Sequence, residues 1–332
     1  MVEDKKLLPI YILDILKTYT DEKHSLNYSD IAEKLKEKLG IEVSTKTIAR
    51  NVSALIDYGY DIIKKGNYGC ALLSRYVDNS EMAYLVDGLF SSKVVTSQQA
   101  QNLMMNLTRD FSIYEKKRYD YIYKADEIVR ANNKAFFYNI DTISRAIEEN
   151  KQISFTYNEI LADKKLKTRH NGKKFIINPY FLINNHGKYY LVCNYDKYNS
   201  LSNYKVECIS NIKILNTPIK PLNKLEDTKD FDITKYVNEH IYMFSGQTIT
   251  ATIKVANEKV INDIIDWYGE GVDIEIKDKE IFASFNVNEQ AFLYWALQYG
   301  LNIEVIEPAA TREKYIEMLD NIVNKYKVKG EQ

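Results

Sequence analysis

The sequence has few of the residues that build disulfide frameworks or metal centres. Its three cysteines, Cys70, Cys193 and Cys208, are odd in number and widely spaced, so we expect reduced thiols rather than disulfides. Its four histidines are scattered along the chain and lack the ligand spacing of a metal site. We therefore expect neither a bound metal nor a disulfide scaffold.

Long apolar runs are also missing. No segment approaches the roughly 20 apolar residues that a transmembrane helix requires. The first residues, Met1–Lys6, are mostly charged and carry no signal-peptide core. These features predict a globular protein of the cytoplasm that has no membrane partner.

Enzyme motifs are missing as well. The sequence contains no glycine-rich loop for phosphates, no nucleophile elbow, no metal-ligand spacing and no persuasive pair of catalytic carboxylates. We therefore expect a protein that is not an enzyme and that needs no cofactor.

What the sequence does have is an uneven distribution of charge. Residues 151–215 hold 11 Lys and Arg against 4 Asp and Glu, a net +7. Residues 1–75, 76–150 and 216–332 carry +1, −2 and −7, which brings the whole chain to −1. The basic segment also contains seven of the 27 tyrosines. A basic, tyrosine-rich domain favours an anionic partner that can stack, and nucleic acid has both properties.

The first 76 residues predict a small domain of helices followed by a hairpin. Apolar residues at helical spacing indicate three helices, over Leu7–Leu16, Tyr28–Leu35 and Ser44–Leu55. Two short strands are predicted within Asp61–Leu72. The third helix buries Ile48, Val52 and Leu55 and turns outward a face that has no acidic residue before Asp57. This order is typical of a winged helix-turn-helix DNA-binding domain.

The outer face of the third helix and the hairpin supply the candidate DNA contacts. Hydroxyls and amides can bond phosphates and base edges, and Lys46 and Arg50, four residues apart, can bind the backbone or guanine. The candidate DNA-binding residues are Ser44, Thr45, Lys46, Thr47, Arg50, Asn51, Lys64, Lys65 and Tyr68. The alternative is a small helical domain with a solvated polar helix, because residues 1–75 carry only +1.

Residues Val43–Leu55 resemble the third helix of the bacterial winged helix-turn-helix regulators that precede WYL domains. The matching residues are Thr47, Ile48, Arg50, Asn51 and Leu55, with Asn51 standing where that family usually has Asp. The resemblance implies a DNA-binding transcriptional regulator.

Residues 77–150 predict a helical connector. Apolar residues at three- and four-residue spacing indicate helices over Glu81–Leu89, Ser97–Thr108, Tyr119–Asn132 and Ile140–Glu149. Such helices can form a small bundle, space the flanking domains or hold two subunits together. We favour the roles of spacer and dimer contact.

Residues 151–217 predict a small antiparallel barrel. Alternating apolar residues indicate five short strands, over Gln152–Tyr157, Phe175–Ile183, Lys188–Tyr195, Ser202–Ile209 and Asn211–Leu215. Gly187 lies at the turn between the second and third strands, where a positive φ is needed. Closure into a barrel would leave no open sheet edge.

Three motifs in this segment resemble the WYL domain of bacterial transcriptional regulators. They are Asn178-Pro179-Tyr180, Gly187-Lys188-Tyr189-Tyr190-Leu191 and Tyr204-Lys205-Val206-Glu207-Cys208-Ile209. The Trp-Tyr-Leu triplet that names the family is Tyr189-Tyr190-Leu191 in this chain. Of the cations usual in the family's later strand, only Lys205 is present. The resemblance implies an Sm-like barrel that senses a nucleic-acid or nucleotide ligand.

The aromatic and basic residues of this segment are the candidate ligand contacts. Tyrosine rings can stack on bases, while cations can bind phosphates. The candidate ligand-binding residues are Tyr157, Arg169, His170, Tyr180, Tyr189, Tyr190, Tyr204 and Lys205. The alternative is that Tyr157, Tyr180 and Tyr190 form the barrel core and the lysines make its surface soluble.

Residues 218–245 predict a linker, and residues 246–328 predict an acidic α+β domain. The elements follow the order β, α, β, β, α, β, α, over Gln247–Val255, Glu258–Tyr268, Val272–Lys277, Ile281–Asn286, Asn288–Tyr299, Ile303–Pro308 and Thr311–Tyr326. This order resembles the extension that often follows WYL domains. Its negative charge disfavours contact with DNA and favours a role in dimerisation or in gating the neighbouring basic domain.

The predicted architecture is multidomain α+β, with a winged helix-turn-helix domain, a helical connector, an Sm-like small β-barrel of the WYL type and a C-terminal α+β domain. The leading hypothesis is a homodimeric transcriptional regulator that binds a double-stranded DNA operator and responds to a single-stranded nucleic-acid or nucleotide effector. The competing hypothesis is an accessory single-stranded nucleic-acid-binding protein without a transcriptional role.

Overall fold

The protein divides into two compact units, residues 1–132 and 133–332. The computed structural model describes residues 5–66, 69–92, 94–119, 134–162, 166–226, 228 and 231–327. Helices and antiparallel sheets occur in both units, which confirms the predicted mixed α+β class. None of the helices in these ranges has the length and apolar character of a membrane span.

The first unit begins with three helices whose ends follow local sequence signals. They are α1 (Leu8–Tyr19), α2 (Tyr28–Leu39) and α3 (Thr45–Tyr58). Asn27 and Asp30 form a capping box at the start of α2, and Gly40 ends it with a φ of 70°. Ser44 caps α3 by accepting a hydrogen bond from the Thr47 N–H. Apolar side chains of all three helices form one core, which includes Ile12, Leu16, Ile31, Leu35, Ile48 and Val52.

A three-stranded antiparallel sheet completes this core. Its strands are β1 (Leu26–Asn27), β2 (Ile62–Lys65) and β3 (Gly69–Leu72), in the order β1-β3-β2. Strands β2 and β3 form the predicted hairpin, and Lys65 pairs with Gly69 at its end. The sequence analysis missed β1, a two-residue strand too short to show a periodic pattern. Asn67 and Tyr68 lie outside the described residues.

Three further helices follow among the described residues of the first unit. They are α4 (Asn79–Ser91), α5 (Ser97–Leu107) and α6 (Ile113–Lys116). The helices predicted over Glu81–Leu89 and Ser97–Thr108 therefore form with slightly different ends. The helix predicted over Tyr119–Asn132 lies outside the described residues beyond Tyr119.

Arg75 ties these helices to α1 through buried polar contacts. Its guanidinium donates from Nη2 to the Thr20 carbonyl (2.7 Å) and lies 3.6 Å from Glu115 Oε2. The side chains of Arg75 and Glu115 are only 4% and 5% exposed. Glu115 Oε2 also accepts a hydrogen bond from the Ser112 N–H (2.8 Å), and Ser112 Oγ donates to Asp21 Oδ2 (3.0 Å). These bonds offset the cost of removing both charges from water.

Replacing Arg75 with alanine is expected to lower the free energy of unfolding of the first unit by about 3–5 kcal/mol, because the Glu115 carboxylate would stay buried without its cation. Urea denaturation followed by circular dichroism measures the loss. The control is Lys36→Ala, since Lys36 pairs with Glu42 on the exposed surface. Equal unfolding midpoints for the two variants would contradict the assignment.

The second unit begins with α7 (Phe136–Glu148), which starts four residues before the predicted helix over Ile140–Glu149. A six-stranded antiparallel sheet follows. Its strands are β4 (Lys151–Ile160), β5 (Leu166–Thr168), β6 (Phe175–Asn185), β7 (Lys188–Tyr195), β8 (Leu201–Lys205) and β9 (Ile209–Pro218). The strand order is β5-β4-β6-β7-β8, with β9 also paired to β4.

The prediction of a closed barrel is wrong for the part of the chain that the structure describes, because no pairing joins β8 to β9. The predicted fourth strand, Ser202–Ile209, ends at Lys205, and a 3-10 turn over Val206–Cys208 redirects the chain. Asn139 of α7 holds this turn, since its Nδ2 donates to the Ile209 carbonyl (2.8 Å). A contact with α7, rather than strand pairing, therefore fixes the path of the chain between β8 and β9.

We call the part of the chain after the six-stranded sheet, residues 219–327, the acidic region. It contains one helix in the predicted linker, followed by a four-stranded sheet with helices packed against it. Its helices are α8 (Ile233–Glu239), α9 (Lys259–Tyr268), α10 (Glu289–Tyr299) and α11 (Ala309–Lys327). Its strands are β10 (Thr248–Val255), β11 (Asp273–Lys277), β12 (Glu280–Asn288) and β13 (Ile303–Glu307), in the order β11-β12-β10-β13. All seven elements predicted after residue 246 form, with ends shifted by a residue or two. Trp295 and Phe292 of α10 are fully buried in their core.

The six-stranded sheet and the acidic region contact each other at two places within the second unit. At the tip of the β6–β7 hairpin, Asn185 Nδ2 donates to the Ile241 carbonyl (3.1 Å), and the His186 ring lies 5.0 Å from the Trp267 ring of α9. On the face of the sheet, Tyr236 of α8 and Met243 pack in one cluster with strand residues. The region after the sheet is therefore packed against it.

Candidate functional site

Helix α3 carries most of the predicted DNA contacts. Thr45, Lys46 and Arg50 are exposed on its outer face. No acidic residue occurs in its first turn. Because its opposite face is buried in the domain core, this polar surface is held in a fixed orientation.

The remaining polar residues at the start of α3 are partly engaged with the helix itself. Thr47 Oγ1 lies 3.0 Å from Ser44 Oγ, and Asn51 Nδ2 donates to the Thr47 carbonyl (2.8 Å). Thr47 and Asn51 are half-buried, while Ser44 is exposed. Together with Arg50 they line an open groove of about 490 Å³. The Asn51 amide thus stabilises the helix and keeps one N–H and its oxygen for other partners.

The two lysines of the β2–β3 hairpin, Lys64 and Lys65, bond different parts of the domain. Lys64 Nζ donates to Ser53 Oγ of α3 (3.1 Å), whereas Lys65 Nζ donates to the Glu22 carbonyl (2.9 Å). Both lysines are exposed. Lys64 therefore adds its charge to the face of α3, and Lys65 lies toward the loop after α1. The third predicted hairpin contact, Tyr68, lies outside the described residues.

In the second unit, four rings from three strands form what we call the aromatic cluster: Phe155, Tyr157, Phe175 and Tyr204. Tyr204 lies edge-on to the other three, with centroid distances of 5.3 Å to Phe155, 5.1 Å to Tyr157 and 5.7 Å to Phe175. Phe155 is buried beneath the group, and the other three rings are half-buried. The cluster therefore consists of one buried ring, Phe155, that supports three partly exposed rings.

Basic residues border the aromatic cluster. The Arg169 guanidinium lies 5.8 Å from the Tyr157 ring centroid, and the His170 ring lies 6.0 Å from that of Phe175. Arg169 Nε also pairs with Glu159 Oε2 (3.2 Å), with both side chains about half exposed. The backbone N–H of Lys205 donates to the Tyr157 hydroxyl (3.2 Å). Four ligand candidates, Tyr157, Arg169, His170 and Tyr204, thus lie in one place, and Lys205 adjoins them.

The other three ligand candidates lie elsewhere in the fold. Tyr180 is buried, and its hydroxyl donates to the Lys220 carbonyl (2.7 Å). Tyr190 is buried in a cluster with Met243. Tyr189 packs edge-on against Phe136 of α7 at 5.5 Å. These three rings join the sheet to the segments that cover it.

Burial controls the ionisation of the side chains around the aromatic cluster. It raises the pKa of Tyr204 to about 12 and raises that of Tyr157 further, so both phenols are neutral near pH 7. Burial also raises the pKa of the Glu207 carboxyl, against the opposing effect of Lys205. Neutral phenols present stacking surfaces that do not repel phosphate.

The sequence analysis missed Phe155 and Phe175 as parts of the site. Phe155 precedes Tyr157 by two residues on one strand, so their side chains share a face, and that spacing could have identified the pair. Phe175 reaches the same place only through the pairing of β4 with β6. In the part of the chain that the structure describes, no three His, Cys, Asp or Glu side chains gather as metal ligands would.

Comparisons with known proteins agree with part of this picture. Residues 138–214 match the sequence profile of the WYL domain. This match supports the resemblance drawn from the Tyr189-Tyr190-Leu191 triplet, and it begins within α7. No curated protein matches the chain.

Two solved structures are similar at a distance. One is proteasome accessory factor B/C (PafBC) of Arthrobacter aurescens, at 13% identity and a TM-score of 0.30, with 89% of this chain and 46% of that chain covered. The other is a CRISPR Cas-related protein, at 13% identity and a TM-score of 0.39, with 99% of this chain and 82% of that chain covered. This chain spans less than half the length of the PafBC chain.

Cys208 follows Glu207 and hydrogen-bonds Tyr157 of the aromatic cluster, so the reactivity of its thiol depends on the charges beside the cluster. Burial raises the pKa of its thiol, the Glu207 carboxylate raises it further, and a hydrogen bond with Tyr157 opposes the rise. We expect Cys208 to react with iodoacetamide at pH 8 much more slowly in the folded protein than in urea, because less thiolate is present below a raised pKa. Peptide mass spectrometry measures the rate.

Glu207→Gln should accelerate this alkylation in the folded protein, because it removes a neighbouring negative charge that disfavours the thiolate. Raising the pH should accelerate it as well, since the thiolate fraction grows as the pH approaches the raised pKa. Equal rates for folded and unfolded wild-type protein would contradict the assignment.

Proposed function

We propose that the protein is a DNA-binding transcriptional regulator of the cytoplasm, without catalytic activity. Its first unit acts as a winged helix-turn-helix domain that binds a double-stranded operator as part of a homodimer. Its WYL segment binds single-stranded nucleic acid or a nucleotide and thereby changes operator binding. The observation that carries the proposal is the exposed face of α3, which holds Lys46 and Arg50 and has no acidic residue before Asp57, beside a lysine-bearing hairpin.

The geometry of α3 supports duplex recognition. An α-helix fits the major groove of B-DNA, and Lys46 and Arg50 lie one turn apart on the exposed face. Lys64 lies against the same face through its bond with Ser53. If one of these cations bonds a base edge and the others bond phosphates, the phosphate contacts would position the helix on the DNA and the base contact would give sequence preference.

The aromatic cluster supports binding of an unpaired base. Tyr157 and Tyr204 offer neutral, partly open rings, and the sequence tolerance of stacking suits single strands. Arg169 lies within reach of a phosphate next to such a base, because its ion pair with Glu159 is half exposed and can exchange. Ligand occupancy would then rearrange the contacts of Arg169.

A second candidate function is an accessory protein that captures single-stranded nucleic acid. It is favoured by one observation, since the aromatic cluster and its cations all belong to the second unit and need no residue of α3. Such a protein would bind single strands and show no preference for any duplex.

Arg50→Ala is expected to weaken binding to operator DNA by about 1–3 kcal/mol, roughly five- to 150-fold, because it removes a cation that can bond guanine. A mobility-shift titration with the DNA upstream of the protein's own gene, against random duplex of equal length, measures the effect. The matched control is Arg145→Ala, an exposed arginine in α7. Equal affinity for both duplexes, unchanged by Arg50→Ala, would refute operator recognition and favour the accessory function.

Tyr204→Ala is expected to weaken binding of a labelled oligothymidine about ten nucleotides long by about 1–3 kcal/mol, because one stacking surface is lost. Fluorescence anisotropy measures the affinity. Tyr204→Phe keeps the ring and should bind as the wild type does. Tyr198→Ala, which removes an exposed tyrosine outside the cluster, is the matched control. An oligonucleotide affinity that none of these variants changes would rule out the aromatic cluster as the site.

A further inference from the structure

Strand β8 has an open edge. It is the last strand in the order β5-β4-β6-β7-β8, and among the described residues no strand pairs with it on the side away from β7. The Lys205 N–H donates to the Tyr157 hydroxyl, so it points to this open side. Because the N–H and C=O groups of a strand point alternately to its two sides, those of Asn203 and Leu201 point there as well. Such an edge can pair with a further strand.

A groove of about 690 Å³ lies beside this edge, at the Leu201 end of β8. One wall belongs to the strand, and the other belongs to α8 and the residue before it. The strand supplies Ser200, Leu201 and Ser202, and the helix wall supplies Asp232, Lys235, Tyr236 and Glu239. Tyr236 also ties the two walls together, because its hydroxyl accepts a hydrogen bond from the Asn203 amide (2.9 Å). A groove of this volume is in the range of ligand-binding clefts.

The groove is acidic. Its charged lining residues are three carboxylates and one ammonium: Glu226, Asp232, Glu239 and Lys235. Burial lowers the pKa of His240, which also lines the groove, so its ring is uncharged near pH 7. Residues 226–239 have the same sign in sequence, with five acidic and two basic residues. The groove therefore disfavours nucleic acid and favours a cationic partner.

Glu239 is the carboxylate with the most to gain from such a partner. Its side chain is only 15% exposed, yet Lys235 Nζ lies 3.9 Å from Oε1 and Thr248 Oγ1 lies 3.5 Å from Oε2. These contacts are too long to replace water fully, and burial raises the pKa of the carboxyl. The Phe231 and Tyr236 rings line the same groove. Rings of this kind pack against the methylene stem of a lysine whose ammonium reaches a carboxylate.

We propose that the groove binds an extended, lysine-containing peptide, which adds a strand to the open edge of β8. The peptide backbone bonds the edge groups of Leu201 and Asn203, and alternate side chains lie along α8. Asp232 and Glu239 are seven residues apart along this helix, roughly 10 Å, and lysines two positions apart on a strand are separated by roughly 7 Å. Flexible lysine stems cover the difference. The proposal goes beyond the proposed function and needs no residue of the first unit.

Removing the carboxylate of Glu239 tests the charge recognition. The probe is an acetylated and amidated peptide about six residues long, roughly 20 Å, in which lysine and threonine alternate. Glu239→Gln should raise its dissociation constant about tenfold, because the amide cannot pair with an ammonium. Isothermal titration calorimetry of the full-length chain measures the affinity. The matched control is Glu270→Gln, an exposed glutamate outside the groove, which should bind as the wild type does. Equal affinities for all three chains would overturn the proposal.

Backbone methylation separates strand addition from simple charge attraction. In an added strand, every second N–H group faces β8. One peptide carries methyl groups on its lysine nitrogens, and another carries them on its threonine nitrogens. Their affinities should differ at least about tenfold, because only one of the two loses the N–H groups that face β8. Equal affinity of these two peptides overturns the proposal, and so does spermidine binding as tightly as the unmethylated peptide.

Amide hydrogen exchange, followed by NMR in the full-length chain, locates the bound peptide. The Leu201 and Asn203 amides should exchange about tenfold more slowly with free peptide at about ten times its dissociation constant, because exchange then requires release. The Ser202 amide points to β7 and should change little. A chain that binds no peptide at roughly millimolar concentration overturns the proposal, as does binding that leaves the Leu201 and Asn203 amides unchanged.

Discussion

Strand β4 is the element on which the six-stranded sheet of the second unit depends, because three other strands pair with it. Strands β6 and β9 pair with the part of β4 from Lys151 to Tyr157, and β5 pairs with its last three residues. Its alternation directs Phe155 and Tyr157 to one face and Thr156 to the opposite face, where Thr156 bonds Ser210. The aromatic cluster exists because β6 and β8 bring Phe175 and Tyr204 to the first of these faces. A change in the register of β4 would reverse both faces at once.

Much of the first unit could be predicted because its signals are local. Ser44 caps α3, Gly40 ends α2, and apolar spacing identifies Ile48 and Val52 as core; each signal lies within a few residues of its effect. The ion pair of Arg75 and Glu115 gave no such signal, since 40 residues separate the two charges in sequence and only the packing of α6 beside α1 joins them.

The open sheet shows why local pattern failed in the second unit. The run Ser202–Ile209 alternates like a strand, yet Asn139 bonds the carbonyls on both sides of a turn within it. That contact spans about seventy residues of sequence and leaves no periodic trace. Local pattern could not separate the candidate ligand residues for the same reason. Tyr157 and Tyr180 look alike in sequence, and only the folded sheet places Tyr157 in the aromatic cluster and Tyr180 in a buried position. The short helix α8 escaped notice because seven residues carry too little pattern.

The β6–β7 hairpin has a mechanical consequence. Strand β6 is 11 residues long, roughly 36 Å, and one of its ends carries Phe175 of the aromatic cluster. At the other end, Asn185 donates a hydrogen bond to the Ile241 carbonyl, and the His186 ring packs against the Trp267 ring of the acidic region. A paired ladder of strands is stiff along its length, so the hairpin is one rigid connection between the aromatic cluster and the acidic region. Strand β4 pairs with the Phe175 end of β6, so a displacement at Asn185 and His186 would load the sheet at the aromatic cluster.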